Sequence, residues 1–470
     1  MKTFFIIPDH VGENFSFNLT NIEPDVNIFR AIYFMRSFSK VDFIDFRIDR
    51  VTKKEFEEKM KHSKYDFLFI QIKSFNVKES FRLLDIIRQN NSSTFIFCFG
   101  QHASSLPADI LRRYKDIFII KDEIFPFLYG LFSLKKIERK YIEKLPNLLY
   151  LKKKKILANQ VEEVNIMDSL PLVDVEEMKK RGYFTLYPMK DKFIRRWGFI
   201  TLTKGCQYDC IYCSQTLRIS HGKKIFNFSP NEAYKRIKRL VDEGFSHINF
   251  FDDNLLCNPK FIRAVCRKII KKGLNISWVA QIRANSLDKK TIILMKKAGC
   301  QCLGIGVESG SQRIMDILKK GETIEDIKKC FYLCKKYSIL TVAFFMIGNP
   351  KETLKEVEMS RCLIKEIKPT MLQIAFFTPY PGSPFYDINS EKIKKNDIYH
   401  YGRLYYNFSK ISTKKLEKIM NKWYLLFYLH PINFMKLTYL HLFSLLLHPK
   451  RGLRIIFSLL NNLFYLFKTK

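Results

Sequence analysis

The chain lacks several features that define large classes of protein. No stretch of about 18 uninterrupted apolar residues, the length that a membrane-spanning helix needs, occurs in its 470 residues, although 47% of them are hydrophobic. The first residues, Met1–Asp9, break after a few apolar positions and contain no small-residue cleavage site. We therefore expect no secretory signal peptide, a cytoplasmic protein and reduced cysteines rather than disulfides.

Acidic residues are also scarce, with 46 Asp and Glu against 81 Lys and Arg, for a net charge of +35. Such a balance suggests nucleic-acid binding. The lysines, however, are scattered among Ile, Phe and Asn, and no RNA-binding module is recognisable. We therefore expect no specific nucleic-acid binding.

Cysteine is concentrated at one point. Cys206, Cys210 and Cys213 form a CxxxCxxC run directly after the apolar stretch that ends at Leu202. Thiolates this close in sequence can reach one metal centre from a single loop. Three ligands are one fewer than a cubane iron–sulfur cluster takes, so one iron would stay open for another molecule. An open position indicates chemistry, since structural sites use all their ligands.

Two alternatives are weaker. A structural zinc site would need a fourth ligand, and the nearest candidate, His221, has no second CxxC beside it. A disulfide is not expected without a secretory context. The other eight cysteines lie in apolar patterns and are interpreted as reduced core residues: Cys98, Cys257, Cys266, Cys300, Cys302, Cys330, Cys334 and Cys362.

After the cysteines, short apolar runs alternate with longer amphipathic ones, which predicts repeated βα units. Six strands are expected, near 199–203, 247–251, 276–282, 302–307, 341–347 and 371–377. Six such repeats predict an incomplete parallel barrel, whose reacting groups would lie at the carboxyl ends of the strands. Polar residues follow several of these strands, among them Asp252, Asp253, Arg283, Glu308 and Ser309.

The CxxxCxxC run, with the aromatic Tyr212 before its third cysteine, resembles the signature of the radical S-adenosylmethionine (radical SAM) enzymes. The resemblance implies a [4Fe-4S] cluster on Cys206, Cys210 and Cys213, with S-adenosylmethionine on the open iron. In that family, electron transfer from the cluster cleaves S-adenosylmethionine to a 5′-deoxyadenosyl radical. The strand-end segments resemble one subgroup, which carries an N-terminal cobalamin-binding domain.

The resemblance also assigns roles around S-adenosylmethionine. Asp252 and Asp253 lie where the family binds the methionine ammonium, and which of them contacts it stays open. Glu308 and Ser309 would bind the ribose hydroxyls, and Arg283 would pair with the carboxylate. Two further positions would lie near adenine, the ring of Tyr212 and the backbone of Gly348. Taken singly, acids at strand ends are often helix caps and arginines are often surface ion pairs.

The first 130 residues show a doubly wound α/β pattern, which binds ligands at the carboxyl ends of its strands. Its segment 97–103, with Gly100 and His102, resembles the cobalamin (B12)-binding domain of the same subgroup. The Asp-x-His-x-x-Gly motif that supplies a cobalt ligand in many such domains is missing, and Asp9–Gly12 only echoes it. Cobalamin bound without a protein histidine and a domain that has lost this ligand both stay open.

The predicted organisation has four parts: a B12-binding-like α/β domain (1–130), a linker (131–196), a partial (βα)6 TIM-like radical SAM core (197–408) and a helical basic and apolar tail (409–470). From residue 411 onward, Glu417 is the only acid. Such helices fit either an anionic membrane surface, on the inner face of the membrane, or the open side of the barrel.

The function expected from the resemblance is methylation or cyclisation of an unactivated carbon in a small, hydrophobic or lipid-like substrate. An electron donor such as flavodoxin or ferredoxin would serve the cluster. The alternatives are a cobalamin-independent radical SAM enzyme with a relic N-terminal domain and a non-catalytic iron–sulfur redox sensor. Methylthiotransferases that modify tRNA, in contrast, carry three further N-terminal cysteines, and only Cys98 precedes residue 200 here.

Overall fold

The structure is a computed structural model that describes residues 1–9, 23–91, 93–185, 187–190, 196–214, 223–393 and 404–447, with helix 441–447 described by its backbone only. Two parallel sheets organise this part of the chain. His10, Gly12 and His221 lie outside the described residues.

The N-terminal sheet has the strand order β2-β1-β3-β4-β5-β6-β7, in which β1 to β5 are parallel and β6 and β7 are antiparallel additions. The order 2-1-3-4-5 is that of a doubly wound fold, as predicted. Its central strands are near-continuous apolar runs because helices cover both faces. The strands are β1 (Lys2–Ile7), β2 (Lys40–Asp45), β3 (Phe67–Gln71), β4 (Phe95–Phe99), β5 (Phe118–Ile120), β6 (Leu148–Lys152) and β7 (Lys155–Ala158).

The helices of this half carry clear start signals. The helix that begins at Lys53 has a capping box, in which Thr52 and Glu55 each bind the other's backbone N–H. The helices are α1 (Val26–Met35), α2 (Phe46–Asp49), α3 (Lys53–His62), α4 (Val77–Asn90), α5 (Gln101–Ser105), α6 (Pro107–Leu111), α7 (Ile124–Ser133), α8 (Arg139–Ile142) and α9 (Val175–Arg181).

The N-terminal sheet extends beyond residue 130 into the segment that we predicted to be a linker. β6 and β7 form a hairpin whose turn residues, Lys153 and Lys154, have φ of 48° and 65°. The four consecutive lysines Lys152–Lys155 thus form an exposed turn. The sheet continues past 130 because Leu148 and Leu149 are apolar and pair with β5.

The second sheet has the order β15-β14-β13-β12-β11-β8, and its six strands are all parallel. This is the predicted partial barrel. The strands are β8 (Trp197–Ile200), β11 (His247–Phe250), β12 (Ser277–Ile282), β13 (Cys300–Glu308), β14 (Leu340–Ile347) and β15 (Met371–Phe376), and a separate short ribbon pairs β9 (Thr203–Lys204) with β10 (Phe226–Asn227).

Helices alternate with these strands. The helix from Pro230 has proline in its first turn, where no N–H is needed, and its cap Ser229 accepts from Glu232 N. The helices are α10 (Pro230–Asp242), α11 (Pro259–Lys271), α12 (Lys289–Lys297), α13 (Gln312–Ile317), α14 (Ile324–Lys336), α15 (Leu354–Ile367), α16 (Pro384–Ile388), α17 (Thr413–Tyr428) and α18 (Pro431–Leu447).

Helix α17 closes the edge of the barrel at β15. The hydroxyl of Tyr424 accepts from Ile374 N at 2.7 Å and donates to Ile374 O at 2.9 Å. Tyr428 does the same with Leu372, at 3.2 Å and 2.6 Å. Two tyrosines one helical turn apart thus satisfy backbone groups that an open sheet edge would leave unpaired. Among the described residues no helix is long and apolar enough to cross a membrane.

Candidate active site at the mouth of the barrel

The loop that carries the three cysteines is fixed at its start by backbone geometry. Gly205 has φ of +92°, and a Cβ at this position would lie 2.2 Å from the carbonyl oxygen of Lys224. Only glycine fits so close an approach at a positive φ. The next residue is Cys206, so the β9–β10 ribbon sets where the cysteine run begins.

Asp252, two residues after the end of β11, forms hydrogen bonds with the residues that lead into the same loop. Its Oδ1 accepts from Leu202 N at 2.9 Å, from Thr203 N at 2.5 Å and from Thr203 Oγ1 at 2.8 Å. Burial raises the pKa of this carboxyl to about 7. The neighbouring Asp253 is exposed. Of the two predicted acids, therefore, Asp252 is engaged by the protein itself and Asp253 faces solvent at the mouth of the barrel.

The cysteines lie on one short segment but differ in environment. Cys210 is buried, whereas Cys206 and Cys213 are partly exposed. A hydrogen bond from the Cys257 thiol lowers the pKa of Cys206 to about 6, which favours its thiolate. Within the described ranges, no three His, Cys, Asp or Glu side chains converge closely enough to hold a single metal ion. A cubane binds its thiolates through different irons, so it does not require that convergence.

Glu308 ends β13 in a left-handed conformation, with φ of 66°. Its Oε1 accepts from the Tyr212 hydroxyl at 3.2 Å and from Lys320 Nζ at 3.1 Å. Lys320 also lies 3.5 Å from Glu322. Both predicted residues, Tyr212 and Glu308, are thus in direct contact, and a buried lysine holds the carboxylate in place.

Arg283 lies directly on the cysteine loop. Its Nη1 donates to Cys210 Sγ at 3.3 Å, and its Nη2 donates to the carbonyl oxygen of Lys320. The guanidinium carbon is 3.5 Å from the centre of the Tyr208 ring, a cation–π contact. Glu322 lies 3.8 Å away on the other side. The structure therefore joins Arg283 to a candidate cluster ligand.

Two predicted residues contact other parts of the barrel. Ser309 is fully buried, and its hydroxyl contacts Ser311 N at 3.2 Å and Ser360 Oγ, on α15, at 3.4 Å. Gly348 has φ of +77°, and a Cβ there would lie 3.3 Å from Leu416 of α17. The backbone conformation and the packing against α17 account for the glycine.

The N-terminal candidates lie after β3 and β4. Gly100 has φ of +108°, and a Cβ there would lie 2.8 Å from Ile72 O, so the two strand ends approach closely. His102 is 4% exposed, with Nδ1 at 3.2 Å from Ser74 Oγ and Nε2 at 3.9 Å from Asp109. Burial lowers the pKa of His102 to about 4, so the ring is neutral at pH 7.

The carboxyl edges of the two sheets meet at the cysteine loop. Gln101, which follows β4, donates from Nε2 to the carbonyl oxygen of Pro381, which follows β15. Ser214, one residue beyond Cys213, donates to that same oxygen at 2.5 Å. Lys204 pairs with Glu123 of the N-terminal half. The candidate residues of both halves therefore border one region.

Sequence reasoning missed Lys320, Glu322 and Cys257. Lys320 and Glu322 contact Glu308 and Arg283, and Cys257 contacts Cys206, only through the fold. Lys320 is one of many lysines in the chain and has no neighbouring motif. A prediction of its burial between β12 and β13 would have needed the positions of the strands.

Residues 200–363 match the radical SAM superfamily. The chain is 29% identical over 292 residues, 60% of its own length and 63% of the relative's, to an uncharacterized methyltransferase of Pyrococcus horikoshii. It is 28% identical over 214 residues to the anaerobic magnesium-protoporphyrin IX monomethyl ester cyclase of Rubrivivax gelatinosus, 44% of this chain and 37% of the cyclase. The aligned region is thus less than two thirds of the length of either relative.

The fold is similar to that of the cobalamin-dependent S-adenosylmethionine radical enzyme OxsB with aqua-cobalamin and S-adenosylmethionine bound. The TM-score is 0.70 at 15% identity, over 96% of this chain and 71% of that one. The fold class is thereby confirmed for both halves: a doubly wound N-terminal domain and a partial barrel. Residues 200–363 thus match the radical SAM superfamily, and the fold of the chain as a whole is similar to that of a cobalamin-dependent radical SAM enzyme.

Proposed function

We propose that the protein is a cobalamin-dependent radical SAM enzyme that methylates or cyclises an unactivated carbon of a small hydrophobic molecule. The observation that carries this proposal is the meeting of two strand-end edges at one cysteine loop, where Gln101 and Ser214 donate to the same carbonyl oxygen of Pro381. Ligands of doubly wound sheets and of barrels bind at these edges.

The chain's own residues fit the implied cofactors. Cys206, Cys210 and Cys213 would hold a [4Fe-4S] cluster, and the low pKa of Cys206 suits a thiolate ligand. Asp253 and Glu308 would receive the cationic and hydroxyl groups of S-adenosylmethionine. When bound together, cluster and S-adenosylmethionine supply radical chemistry, and the protein orients the substrate and excludes water.

Cobalamin would lie against the carboxyl ends of β3 and β4. The absent Cβ of Gly100 keeps the strand ends close, and the partly exposed Gln101, held by the buried Ser74, has an uncharged amide that suits the amide arms of a corrinoid. His102 points into the domain toward Ser74 and is neutral, so it would support this edge from within. Cobalt ligation by a protein histidine is not part of the proposal.

Similarity to relatives supports the reaction class. One relative is named as a methyltransferase and another as a cyclase, which are the two outcomes expected here. The cyclase is named for a porphyrin ester, consistent with a hydrophobic substrate. A flavodoxin or ferredoxin would supply the electron.

The test is anaerobic reconstitution with iron, sulfide and hydroxocobalamin, followed by desalting, a UV–visible spectrum and an assay for 5′-deoxyadenosine. We expect a broad iron–sulfur band, retained corrinoid bands and reductive cleavage of S-adenosylmethionine. A cluster band without corrinoid would leave the cobalamin-independent alternative. A cluster that never yields 5′-deoxyadenosine with dithionite or flavodoxin would favour the redox sensor.

The tail, residues 409–470, adds a peripheral membrane contact to the proposal. Helix α18 exposes Ile432, Phe434, Met435 and Tyr439 at 56–70%. The preceding helix α17 exposes Lys414, Lys418 and Lys422 along one face. No acid follows Glu417 in the sequence. An exposed apolar helix in a tail with an excess of positive charge fits the surface of an anionic bilayer.

Sedimentation with vesicles tests this contact. The protein should pellet with vesicles of phosphatidylcholine and phosphatidylglycerol, and much less with phosphatidylcholine alone or at high salt. Phe434→Ser with Met435→Ser should abolish pelleting, whereas Tyr332→Ser, which removes an equally exposed aromatic from the barrel, should not. Self-association without lipid that the double variant abolishes would instead assign the surface to a second copy of the chain.

A further inference from the structure

Arg283, which the family resemblance assigned to the carboxylate of S-adenosylmethionine, already binds the cysteine loop. Its residue is 6% exposed, and both terminal nitrogens already donate, Nη1 to Cys210 Sγ at 3.3 Å and Nη2 to the backbone of Lys320. A hydrogen bond from a guanidinium to a thiolate is charge-assisted and stronger than a neutral one. In the proposed function Cys210 is a cluster ligand, so this contact would act on a sulfur bound to iron.

The guanidinium is held from several directions. Tyr208 stacks on it at 3.5 Å, and the carboxylate of Glu322 lies 3.8 Å from Nη2. Glu322 is itself fixed, because it accepts from Asn285 N at 3.1 Å and lies 3.5 Å from Lys320 Nζ. A donor locked in this way stays aimed at the sulfur without reorganisation.

The four charged groups of the network balance: Arg283 and Lys320 are cations, and Glu308 and Glu322 are anions. Arg283 contacts the cysteine loop. It also contacts Lys320, which pairs with Glu308, and Glu308 in turn accepts from the Tyr212 hydroxyl. The network thus joins a cluster ligand to the residues proposed to hold S-adenosylmethionine.

We propose that Arg283 is a positioning and tuning residue: its N–H···S contact with Cys210 raises the reduction potential of the cluster. This inference rests on the proposed function. Reduction adds one electron, supplied by a low-potential one-electron donor, and places more negative charge on the cluster and its thiolates. A cation and a hydrogen-bond donor at the ligand sulfur stabilise that added charge, so they favour the reduced form.

Potentiometric titration followed by EPR of the reduced cluster tests this inference on the full-length reconstituted protein. Arg283→Gln should lower the equilibrium constant for one-electron reduction about tenfold, which corresponds to about 59 mV in the negative direction. Arg283→Lys, which keeps a cation but not the planar fork, should shift the potential less. Arg263→Gln is the matched control, because Arg263 pairs with Asp288 on the outer helices.

Each result of the titration either supports or overturns the proposed role of Arg283. A more negative potential in Arg283→Gln with full iron and sulfide content supports the inference. An unchanged or more positive potential overturns it. Loss of the cluster in both Arg283 variants also overturns it, because Arg283 would then be a structural part of the loop. Failure of the wild-type protein to bind a cluster would instead contradict the proposed function, so the two failures are distinguishable.

Discussion

The carboxyl ends of the parallel strands in the two sheets present different chemistry where they meet at the cysteine loop. At the ends of β12 and β13, the barrel buries Arg283, Glu308, Lys320 and Glu322 against the cysteine loop. At the ends of β3 and β4, the N-terminal sheet offers Ser74, Gly100, Gln101 and a neutral His102. Both edges follow the same rule for parallel strands, yet the four barrel residues are charged and these four N-terminal residues are not, with Lys73 and Asp25 as their charged neighbours.

The difference indicates how each edge is held. Buried charges are tolerated only in compensated sets, so every cation of the barrel network has an anion within 4 Å. The N-terminal edge is held by backbone approach at Gly100 and by neutral hydrogen bonds. The charged barrel group suits the charged groups of S-adenosylmethionine and a redox centre, whereas the uncharged group around Gly100 suits a large amide-rich ligand.

The largest expected effect comes from variants that remove one cysteine of the proposed cluster site and leave the N-terminal domain folded. Cys206→Ala, Cys210→Ala or Cys213→Ala should each abolish the iron–sulfur absorption, because three thiolates are the minimum for the proposed cluster. One face of the N-terminal sheet packs in a core of its own, so the sheet should keep its fold, measured by hydrogen exchange in β1 and β3. Cys266→Ala, a buried thiol on α11, is the control and should retain full iron. Full iron in any of the three variants would contradict the ligand assignment.

The second-largest expected effect comes from removing Lys320, the cation that two buried carboxylates share. Lys320→Met leaves Glu308 and Glu322 buried without the cation that they share, and breaking a buried ion pair in this way costs about 3–5 kcal/mol. We expect a large fall in the melting temperature of the barrel. Lys319→Met changes the exposed neighbour and should have little effect. Equal stability of the two variants would show that the lysine is not structurally coupled to the carboxylates.

Much of the fold and part of the candidate site could be predicted from the sequence alone. The six barrel strands and the cysteine loop follow from apolar periodicity and from motif spacing, which are local signals. The pairing of Arg283 with Cys210, 73 residues apart, does not, because a sequence pattern does not specify which strand-end residues come into contact. The expected roles of Asp252 and Ser309 rested on their positions at strand ends. In the structure their side chains form hydrogen bonds with other residues of the protein, Leu202 and Ser360 respectively.

A smaller effect concerns the N-terminal edge. Gly100→Ala places a Cβ 2.8 Å from Ile72 O at a φ of +108°, which costs about 1–3 kcal/mol and separates the strand ends. Corrinoid retention after desalting should fall while the cluster band stays. The matched control is Gly244→Ala, which has φ of +87° but open space around it. Equal corrinoid retention in both variants would mean that β3 and β4 do not form the corrinoid site.

The smallest effect is the pH dependence that His102 contributes to the stability of the N-terminal domain. The pKa of His102 is lowered by burial to about 4 in the folded chain and is about 6.5 in the unfolded one. Between these values the unfolded chain binds more protons, so the contribution of His102 is fully present above pH 6.5 and is lost as pH falls toward 4. From pH 7 to pH 5.5 the loss should be about 1 kcal/mol.

His102→Asn removes this titration and retains a polar side chain beside Ser74. Wild type should therefore lose about 1 kcal/mol more free energy of unfolding than the variant over that pH range, measured by hydrogen exchange in β4. Asp109 lies 3.9 Å from Nε2 and would reduce the difference by stabilising the protonated ring. Identical pH dependence in the two proteins would show that His102 gains a proton in the folded state as readily as in the unfolded one. The group around Gly100 would then carry a positive charge at low pH, and its contrast with the charged barrel group would not hold there.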